Sequence, residues 1–173
     1  MESVKQIIRD IPDFPKEGII FKDIAPLLAD ASAFGKTINT LKKRYVNKKI
    51  DRVVGVEARG FIFASALAYA LGAGTTMVRK PGKLPYKTYQ ETYSLEYGTD
   101  TIEIHQDAFQ PNERIVLIDD VLATGGTLAA TLNLIRNNFQ NIEIEEVAFL
   151  IELDFLNGRK KLRDIPVHSL IHY

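Results

Sequence analysis

The stretch "VLIDDVLATGGT", from Val116 to Thr127, places two adjacent acids directly before a turn rich in glycine and threonine. This acid pair, Asp119 and Asp120, follows a short apolar run. Two neighbouring ionised carboxylates repel each other, and burying them without partners is unfavourable, so they require paired hydroxyls, a metal ion or both. The acid pair therefore predicts a site for a diol or a cation.

The turn after the acid pair has the features of a phosphate site. Gly125 and Gly126 permit tight turns and a close approach of backbone N–H groups, and Thr124 and Thr127 add hydroxyl donors. The N-terminus of the helix expected here attracts phosphate, because its first N–H groups have no partner within the helix. A diol site beside a phosphate site matches a ribose 5-phosphate. From these residues alone, the acids could instead cap a helix and the glycines could simply turn the chain.

Several apolar patterns predict the elements that must position this site. The run "RIVLID" is typical of a strand buried on both faces of a parallel sheet, and such sheets bind ligands at the carboxyl ends of their strands. Further strands are predicted for "RVVGVE", "TTMVRK", "EEVAFLIEL" and "VHSLIHY", and a hairpin for "YSLEYG" and "TIEIHQ" around Gly98–Asp100. Helices are predicted for "FIFASALAYALG" ending at Gly72, for the stripe from Leu128 to Phe139, and for a segment capped by Asp30 or Ser32.

This order of elements predicts an α/β fold with a mainly parallel central sheet flanked by helices, in a single domain over residues 1–173. The 173 residues are 46% hydrophobic and 25% charged, which is typical of a globular protein. Basic and acidic residues number 22 each, so no net field attracts nucleic acid or an anionic membrane. Glycines and hydroxyl residues interrupt the uncharged stretch from Gly60 to Val78, which argues against a membrane span.

The chain contains no cysteine, which excludes disulfides, thiolate metal sites and a cysteine nucleophile. The opening "MESVKQIIRD" lacks the pattern of a secretory signal, so a reducing, cytoplasmic location is expected. The histidines, His105, His168 and His172, lie in strand-like segments and suggest structural roles. Because no pattern indicates a covalent intermediate, the catalytic work that remains is positioning and charge stabilisation.

The stretch "VLIDDVLATGGT" resembles the phosphoribosyl diphosphate-binding signature of the type I phosphoribosyltransferases. The segments that resemble the adenine-using members of that family are "GIIFKDIAPLL", "VGVEARGFIF" and "VRKPGKLPYKTYQETYSLEYG". The resemblance implies the type I phosphoribosyltransferase fold, with a small N-terminal hood over roughly residues 1–30 and a flexible catalytic loop over roughly residues 82–96. It also implies transfer of ribose 5-phosphate from phosphoribosyl diphosphate to adenine, giving AMP and diphosphate, with Mg²⁺ as the cofactor.

The resemblance assigns roles to the opening stretch. Asp119 and Asp120 would hold the ribose hydroxyls, and Mg²⁺ would be held near them, mainly through the diphosphate and those hydroxyls. The residues that would cradle the 5-phosphate are Ala123, Thr124, Gly125, Gly126 and Thr127. In the segment "EARG", Arg59 would contact the diphosphate, for which its planar guanidinium is well suited.

A basic loop, from Arg79 to Lys87, combines cations with prolines and contains no acid; its cations are Arg79, Lys80, Lys83 and Lys87. The resemblance implies that Arg79, Lys80 and Lys83 close over the diphosphate and act in catalysis. Charge alone is also compatible with a solvated hairpin tip. In similar enzymes part of this loop acts across a dimer interface, so the resemblance implies a homodimer.

The segment "GIIFKD" corresponds to the base-binding segment of the family. Phe21 would stack on the purine, and backbone groups around Ile20 and Lys22 would contact its edge, although many relatives have arginine where this chain has Lys22. Glu96 corresponds to a loop carboxylate that assists proton movement at the purine, and Tyr97 would pack near the site. On sequence alone, Glu96 equally fits an outward-facing strand residue.

The reaction implied by the resemblance is an in-line displacement of diphosphate at C1 of the ribose by a purine nitrogen. A related enzyme could use hypoxanthine, guanine or xanthine, since discrimination depends on hydrogen bonds to the purine 6-position. A non-catalytic regulator that senses phosphoribosyl diphosphate and binds nucleic acid would need a basic face or an added segment, and the zero net charge disfavours it. The expected partners are therefore small-molecule substrates, not nucleic acid or membrane.

Overall fold

The computed structural model describes residues 1–94, 98–162 and 164–173. Its strands are β1 (Arg9–Pro12), β2 (Ile20–Asp23), β3 (Arg52–Val56), β4 (Gly74–Val78), β5 (Thr88–Ser94), β6 (Thr99–His105), β7 (Arg114–Leu122), β8 (Glu143–Glu152) and β9 (Val167–His172). Its helices are α1 (Glu2–Lys5), α2 (Ala25–Ala29), α3 (Ala31–Tyr45), α4 (Gly60–Leu71) and α5 (Gly126–Asn138). Two 3-10 turns, Asp154–Leu156 and Gly158–Leu162, lie between β8 and β9.

The central sheet is parallel and has the strand order β4-β3-β7-β8-β9, which confirms the predicted sheet. The strand of the acid pair, β7, lies in its middle. Strand β3 pairs with β7 only as far as Ile118, whereas β8 accompanies β7 to Leu122. Asp119 and Asp120 therefore lie within β7, on the part of the strand that β3 leaves uncovered.

Both faces of β7 are covered by a hydrophobic core. Val116 and Ile118 pack in a cluster with α3 and α4, and Ile115 and Leu117 pack on the other face with α5 and β6. All four side chains are almost completely buried, and each such burial contributes about 1.5–3 kcal/mol. The prediction of a strand buried on both faces is confirmed, and the acid pair lies on this buried strand.

The helix ends follow the signals in the sequence. Asp30 caps α3, because its Oδ1 accepts a hydrogen bond of 2.9 Å from the Ala33 N–H. Gly72 ends α4 in the left-handed conformation with φ +71°. The uncharged stretch from residue 60 to 78 is divided between α4 and β4, and among the described residues no helix is long and apolar enough to cross a membrane.

Two antiparallel ribbons lie outside the central sheet. Strands β1 and β2 form one of them near the N-terminus. Strands β5 and β6 form the other, which confirms the predicted antiparallel pairing. Strand β5 begins at Thr88, earlier than expected, and Thr99 and Asp100, which were expected between the strands, belong to β6. Ile102 and Ile104 of β6 share a core cluster with α5, so this hairpin lies beside the helix that follows the glycine-rich turn.

Candidate functional site

The acid pair lies against the beginning of α4. If Gly60 had a Cβ atom, that atom would be 2.9 Å from both Asp119 Oδ1 and the Ile118 carbonyl oxygen. Such a distance is too short for a real carbon contact, so only glycine allows α4 to begin this close to the strand. The "EARG" segment is thereby held beside the two carboxylates.

The two carboxylates have little hydration or hydrogen bonding. Asp120 is 5% exposed, while Asp119 is partly exposed and its Oδ1 accepts a hydrogen bond of 2.9 Å from the Asp120 N–H. Burial, together with the charge of Asp120, raises the pKa of Asp119 well above its ordinary value. Burial also raises the pKa of Asp120, although the Arg59 guanidinium acts in the opposite direction. The free protein therefore disfavours two full charges on this pair, and a bound cation or hydroxyl donors would be needed to stabilise them.

Arg59 is the nearest cation to the pair. Its Nε lies 2.7 Å from Asp120 Oδ2, but the contact does not have hydrogen-bond geometry, and this buried oxygen has no hydrogen-bond partner among the described residues. The Arg59 guanidinium also lies 4.9 Å from the centre of the Phe21 ring. Arg59 thus lies between the acid pair and the segment expected to bind the base.

A cavity of about 510 Å³ connects these groups, within the range of about 300–1,000 Å³ that is common for small-molecule sites. Its lining includes Ile20, Phe21, Lys22, Arg59 and the acid pair. The Phe21 ring packs edge to face against Phe14, with a centroid distance of 5.2 Å. The structure therefore brings the expected base-binding and sugar-binding residues to one cavity.

The Lys22 side chain has partners of its own. Its ammonium is 2.7 Å from Asp10 Oδ1 and 3.9 Å from the centre of the Tyr173 ring. The charge that replaces the more usual arginine is thus neutralised by Asp10. Lys22 lines the cavity while its ammonium is bound to residues outside the expected site.

The glycine turn, Ala123–Thr127, forms a separate recess of about 80 Å³ at the start of α5. Gly125 has φ +75°, and a Cβ atom on it would lie 2.5 Å from the Gly158 carbonyl oxygen. A Cβ atom on Gly158 would lie 2.1 Å from the Ala123 carbonyl oxygen. Two glycine backbones thus meet in a contact that excludes any larger residue, and this contact fixes the shape of the turn.

Sequence reasoning did not single out three residues that surround the glycine turn. They are Gly158, Tyr93 and Lys161. A Cβ atom on Gly126 would lie 3.8 Å from the Tyr93 ring and 3.9 Å from Lys161 Nζ, and the Tyr93 hydroxyl is 2.9 Å from Thr127 Oγ1. The only signal for Tyr93 was its place in a tyrosine-rich segment, and no local pattern marked Gly158 or Lys161, because the fold alone brings them to the turn.

The first two cations of the basic loop are paired with carboxylates. Arg79 Nε is 3.1 Å from Glu57 Oε2, and Lys80 forms an ion pair with Asp100. Although burial acts to raise it, hydrogen bonds from the Lys80 N–H and Arg79 hold the pKa of Glu57 below its ordinary value. The hydrogen bond from Lys80 likewise holds the pKa of Asp100 below its ordinary value.

Lys83, the third expected cation, is exposed, and its carbonyl oxygen accepts a hydrogen bond of 3.1 Å from Arg79. The backbone N–H of Gly82 donates to the buried Glu103 carboxylate at 3.2 Å. The loop contains no acid of its own, yet the segment after β3 and strand β6 supply acids to it. It is therefore held against the fold by neighbouring carboxylates.

Glu96 and Tyr97 lie outside the described residues, so their expected roles remain predictions. The described residues on either side are Ser94, which ends β5, and Gly98, which precedes β6.

Comparisons with known proteins were made over the whole chain. A family model described as phosphoribosyl transferase domain matches residues 27–163. A relative from Syntrophotalea carbinolica named adenine phosphoribosyltransferase is 59% identical over 173 residues, which is 100% of both chains. The crystal structure of adenine phosphoribosyltransferase from Thermoanaerobacter pseudethanolicus has a TM-score of 0.94 and 50% identity, and covers 99% of each chain.

A similar structure from Saccharomyces cerevisiae is an adenine phosphoribosyltransferase complexed with adenine and an imino-altritol bisphosphate. It has a TM-score of 0.90 at 40% identity, and the match covers 98% of this chain and 97% of that chain. These similarities confirm the type I phosphoribosyltransferase fold expected from the sequence. The chain therefore belongs to the phosphoribosyltransferase family.

Proposed function

We propose that this protein transfers ribose 5-phosphate from phosphoribosyl diphosphate to adenine, forming AMP and diphosphate in purine salvage. The observation that carries the proposal is the position of the acid pair between two cavities, one lined by Phe21 and Arg59 and the other by the glycine turn. The base, the sugar and the 5-phosphate of a nucleotide follow one another in the same order as these three groups of residues. The relatives named adenine phosphoribosyltransferase, at 59% identity over the full chain, support adenine as the base.

The acid pair would bind the ribose hydroxyls. Hydroxyl donors would satisfy carboxylate oxygens that now lack a hydrogen-bond partner, such as Asp120 Oδ2. Negative charge on this carboxylate pair beside C1 would also stabilise the positive charge that develops on the sugar as the bond to diphosphate breaks. Asp119 and Asp120 would thus bind the substrate and stabilise the transition state.

The leaving diphosphate would be bound by Arg59 and by the basic loop, through Arg79, Lys80 and Lys83. Three of these cations are already paired with carboxylates, so diphosphate would replace those carboxylates as their partner. As the purine nitrogen forms its bond to C1, the bond from C1 to the diphosphate oxygen breaks and its electron pair leaves with the diphosphate. The cations would stabilise that charge.

The base would lie against Phe21, with backbone groups near Ile20 and Lys22 at its edge. Because Asp10 and Tyr173 already hold the Lys22 ammonium, we assign recognition of the purine edge to the main chain. Glu96 is proposed to move the purine proton and Tyr97 to pack beside the site, on the basis of the family resemblance.

The acid pair fits a magnesium ion. Magnesium binds oxygen ligands and is commonly held by one or two carboxylates together with substrate phosphates, and Asp120 Oδ2 has no hydrogen-bond partner. The ion would be held mainly by the diphosphate and ribose hydroxyls, near Asp119 and Asp120, and would neutralise charge on the leaving group. Glu152 belongs to another group of potential metal ligands, but Arg159 and Ser169 bind its carboxylate, so we do not place the ion there.

We also propose a homodimer. Large apolar side chains are exposed on α4 and on the edge strand β4, with Ile62 at 41%, Tyr69 at 91% and Met77 at 45%. The basic loop begins directly after β4, so a partner covering this face would also approach the loop. Sedimentation of the wild-type chain tests the dimer, and a monomer at assay concentrations would contradict it.

The zero net charge and the absence of cysteine support a cytoplasmic enzyme without nucleic acid or membrane partners.

The double variant Asp119→Asn, Asp120→Asn tests the proposed site. Removing one well-aimed electrostatic contact typically lowers kcat by about 10²–10³-fold, so AMP synthesis should fall at least that far. Asp107→Asn, an exposed acid in the turn after β6, is the matched control and should retain activity. Near wild-type AMP synthesis by the double variant would show that the acid pair is not the sugar site.

A further inference from the structure

The 3-10 turn Gly158–Leu162 is held at both of its ends, at its start by the glycine turn and at its end by the hydrophobic core. At its start, the backbone of Gly158 meets the backbones of Ala123 and Gly125, where no side chain fits. At its end, Leu162 is 1% exposed in the core cluster that contains α5. Two fixed ends determine where the side chains between them can reach.

One of those side chains reaches the glycine turn. Lys161 Nζ lies 3.9 Å from the position of a Cβ atom on Gly126, the first residue of α5. In the same 3-10 turn, Arg159 forms an ion pair with Glu152, but within the described ranges no carboxylate forms an ion pair with Lys161. Lys161 therefore brings an uncompensated positive charge to the start of α5.

The glycine turn itself has no charged side chain, since it consists of alanine, threonine and glycine. A phosphate monoester carries a charge of about −1.5 to −2 at pH 7, and a helix N-terminus offers only about half a positive charge in return. The hydroxyl of Thr127 is also engaged, at 2.9 Å from the Tyr93 hydroxyl. Backbone groups alone leave much of the phosphate charge uncompensated, and Lys161 is positioned to supply the cation.

We propose that Lys161 binds the 5-phosphate of the substrate as an ammonium partner outside the signature stretch. This inference rests on the proposed function, because it assumes that a ribose 5-phosphate occupies the glycine turn. Lys161 would contact one phosphate oxygen while the backbone N–H groups of the turn contact the others. Its ion pair would select for a phosphorylated sugar and would not involve the diphosphate end.

The test compares Lys161→Met with Lys160→Met. The two lysines are adjacent in one 3-10 turn, but Lys160 lines a groove on the β9 side of the fold, away from the proposed site. Calorimetry would measure the Kd of ribose 5-phosphate and, separately, of inorganic diphosphate for the wild type and each variant. Lys161→Arg is the conservative variant that keeps the charge.

Lys161→Met is expected to weaken binding of ribose 5-phosphate by roughly tenfold, as for a hydrogen bond to a charged group, and to leave diphosphate binding unchanged. Lys160→Met should bind both ligands as the wild type does, and Lys161→Arg should recover most of the lost affinity. Equal binding of ribose 5-phosphate by the two methionine variants would overturn the inference, and so would an equal loss for both ligands. A wild-type chain that binds neither ligand would instead refute the proposed function.

Discussion

The two phosphate-binding ends of the proposed site are built in opposite ways. At the 5-phosphate end, the glycine turn offers backbone N–H groups and hydroxyls, and the contact between Gly125 and Gly158 fixes its shape. At the diphosphate end, Arg79 and Lys80 offer full charges that are already paired with Glu57 and Asp100. One end is a rigid turn of uncharged residues with a single lysine, Lys161, beside it, while the other consists of ion pairs that would exchange partners.

In the proposed reaction, this difference matches what each ligand does. The 5-phosphate stays on the sugar throughout, so a rigid recess can hold it from substrate to product. The diphosphate must be bound, stabilised as it leaves, and then released. Cations that have carboxylate partners in the free protein can return to those partners when the diphosphate departs. The pairing also neutralises Arg79 and Lys80 in the unliganded protein.

Among changes that distinguish the two phosphate-binding ends, the largest effect is expected from Gly158→Ala, which disturbs the rigid end. The new Cβ would lie 2.1 Å from the Ala123 carbonyl oxygen, so the glycine turn must move. A misplacement near 1 Å can lower activity about 10²-fold, and overpacking destabilises by about 1–3 kcal/mol. Steady-state kinetics and thermal unfolding measure the two effects.

Gly35→Ala is the matched control, because Gly35 lies within α3 and a Cβ atom there meets open space. This variant should keep full activity and gain about 0.5–1 kcal/mol of stability. If Gly158→Ala were as active as Gly35→Ala, the contact with Gly158 would not be what fixes the shape of the glycine turn.

The acid pair between the two ends should show a conflict between stability and activity. Burial raises the pKa of Asp119, so the folded chain keeps a proton that the unfolded chain loses. The free energy of unfolding of the wild type therefore falls as the pH rises above 3.8, the ordinary pKa of this carboxyl group. Asp119→Asn removes this penalty, so at pH 7 it should unfold at a higher temperature, by about 2–4 °C for each kcal/mol regained. Its AMP synthesis should nevertheless be lower.

The pH dependence separates this explanation from a general effect of the substitution. The stability difference between Asp119→Asn and wild type should vanish below pH 3.8 and grow as the pH rises. Thermal unfolding followed across this pH range measures it. A difference that does not depend on pH would show that the Asp119 charge is not the cause.

The smallest effect is expected at the diphosphate end, where Asp100→Asn removes the internal partner of Lys80. The ion pair is partly exposed, with 42% of the Lys80 side chain and 26% of the Asp100 side chain accessible, so it is worth about 0.2–1 kcal/mol. Diphosphate should therefore bind up to about fivefold tighter as a product inhibitor. The control Asp107→Asn should leave the inhibition constant of diphosphate unchanged. Weaker inhibition of Asp100→Asn by diphosphate would contradict the account, because it would mean that Asp100 orients Lys80 for diphosphate binding.

The sequence predicted the parts of this site that depend on local patterns. Strand β7 follows from an apolar run, the end of α4 from Gly72, and the glycine turn from its own residues. All three depend on neighbours within a few positions. The type I fold and the residues proposed to bind the base followed from resemblance across several segments.

Tertiary contacts explain what the sequence did not predict. The basic loop has no acid within it, and its partners Glu57 and Asp100 lie 22 and 20 positions from Arg79 and Lys80. The position of Lys161 depends on the contact between Gly158 and the glycine turn, and no pattern of hydrophobic residues in the sequence predicts that contact. The extension of β7 to Leu122 depends on β8, which supplies its backbone partners beyond the end of β3.

The central claim is tested most directly by incubating the wild-type chain with phosphoribosyl diphosphate, Mg²⁺ and an equimolar mixture of adenine, hypoxanthine, guanine and xanthine. Chromatography of the nucleotides and an assay for diphosphate would be read together. The account predicts AMP as the main nucleotide, formed in equal amount to diphosphate. Another nucleotide as the main product, or no nucleotide at all, would contradict it.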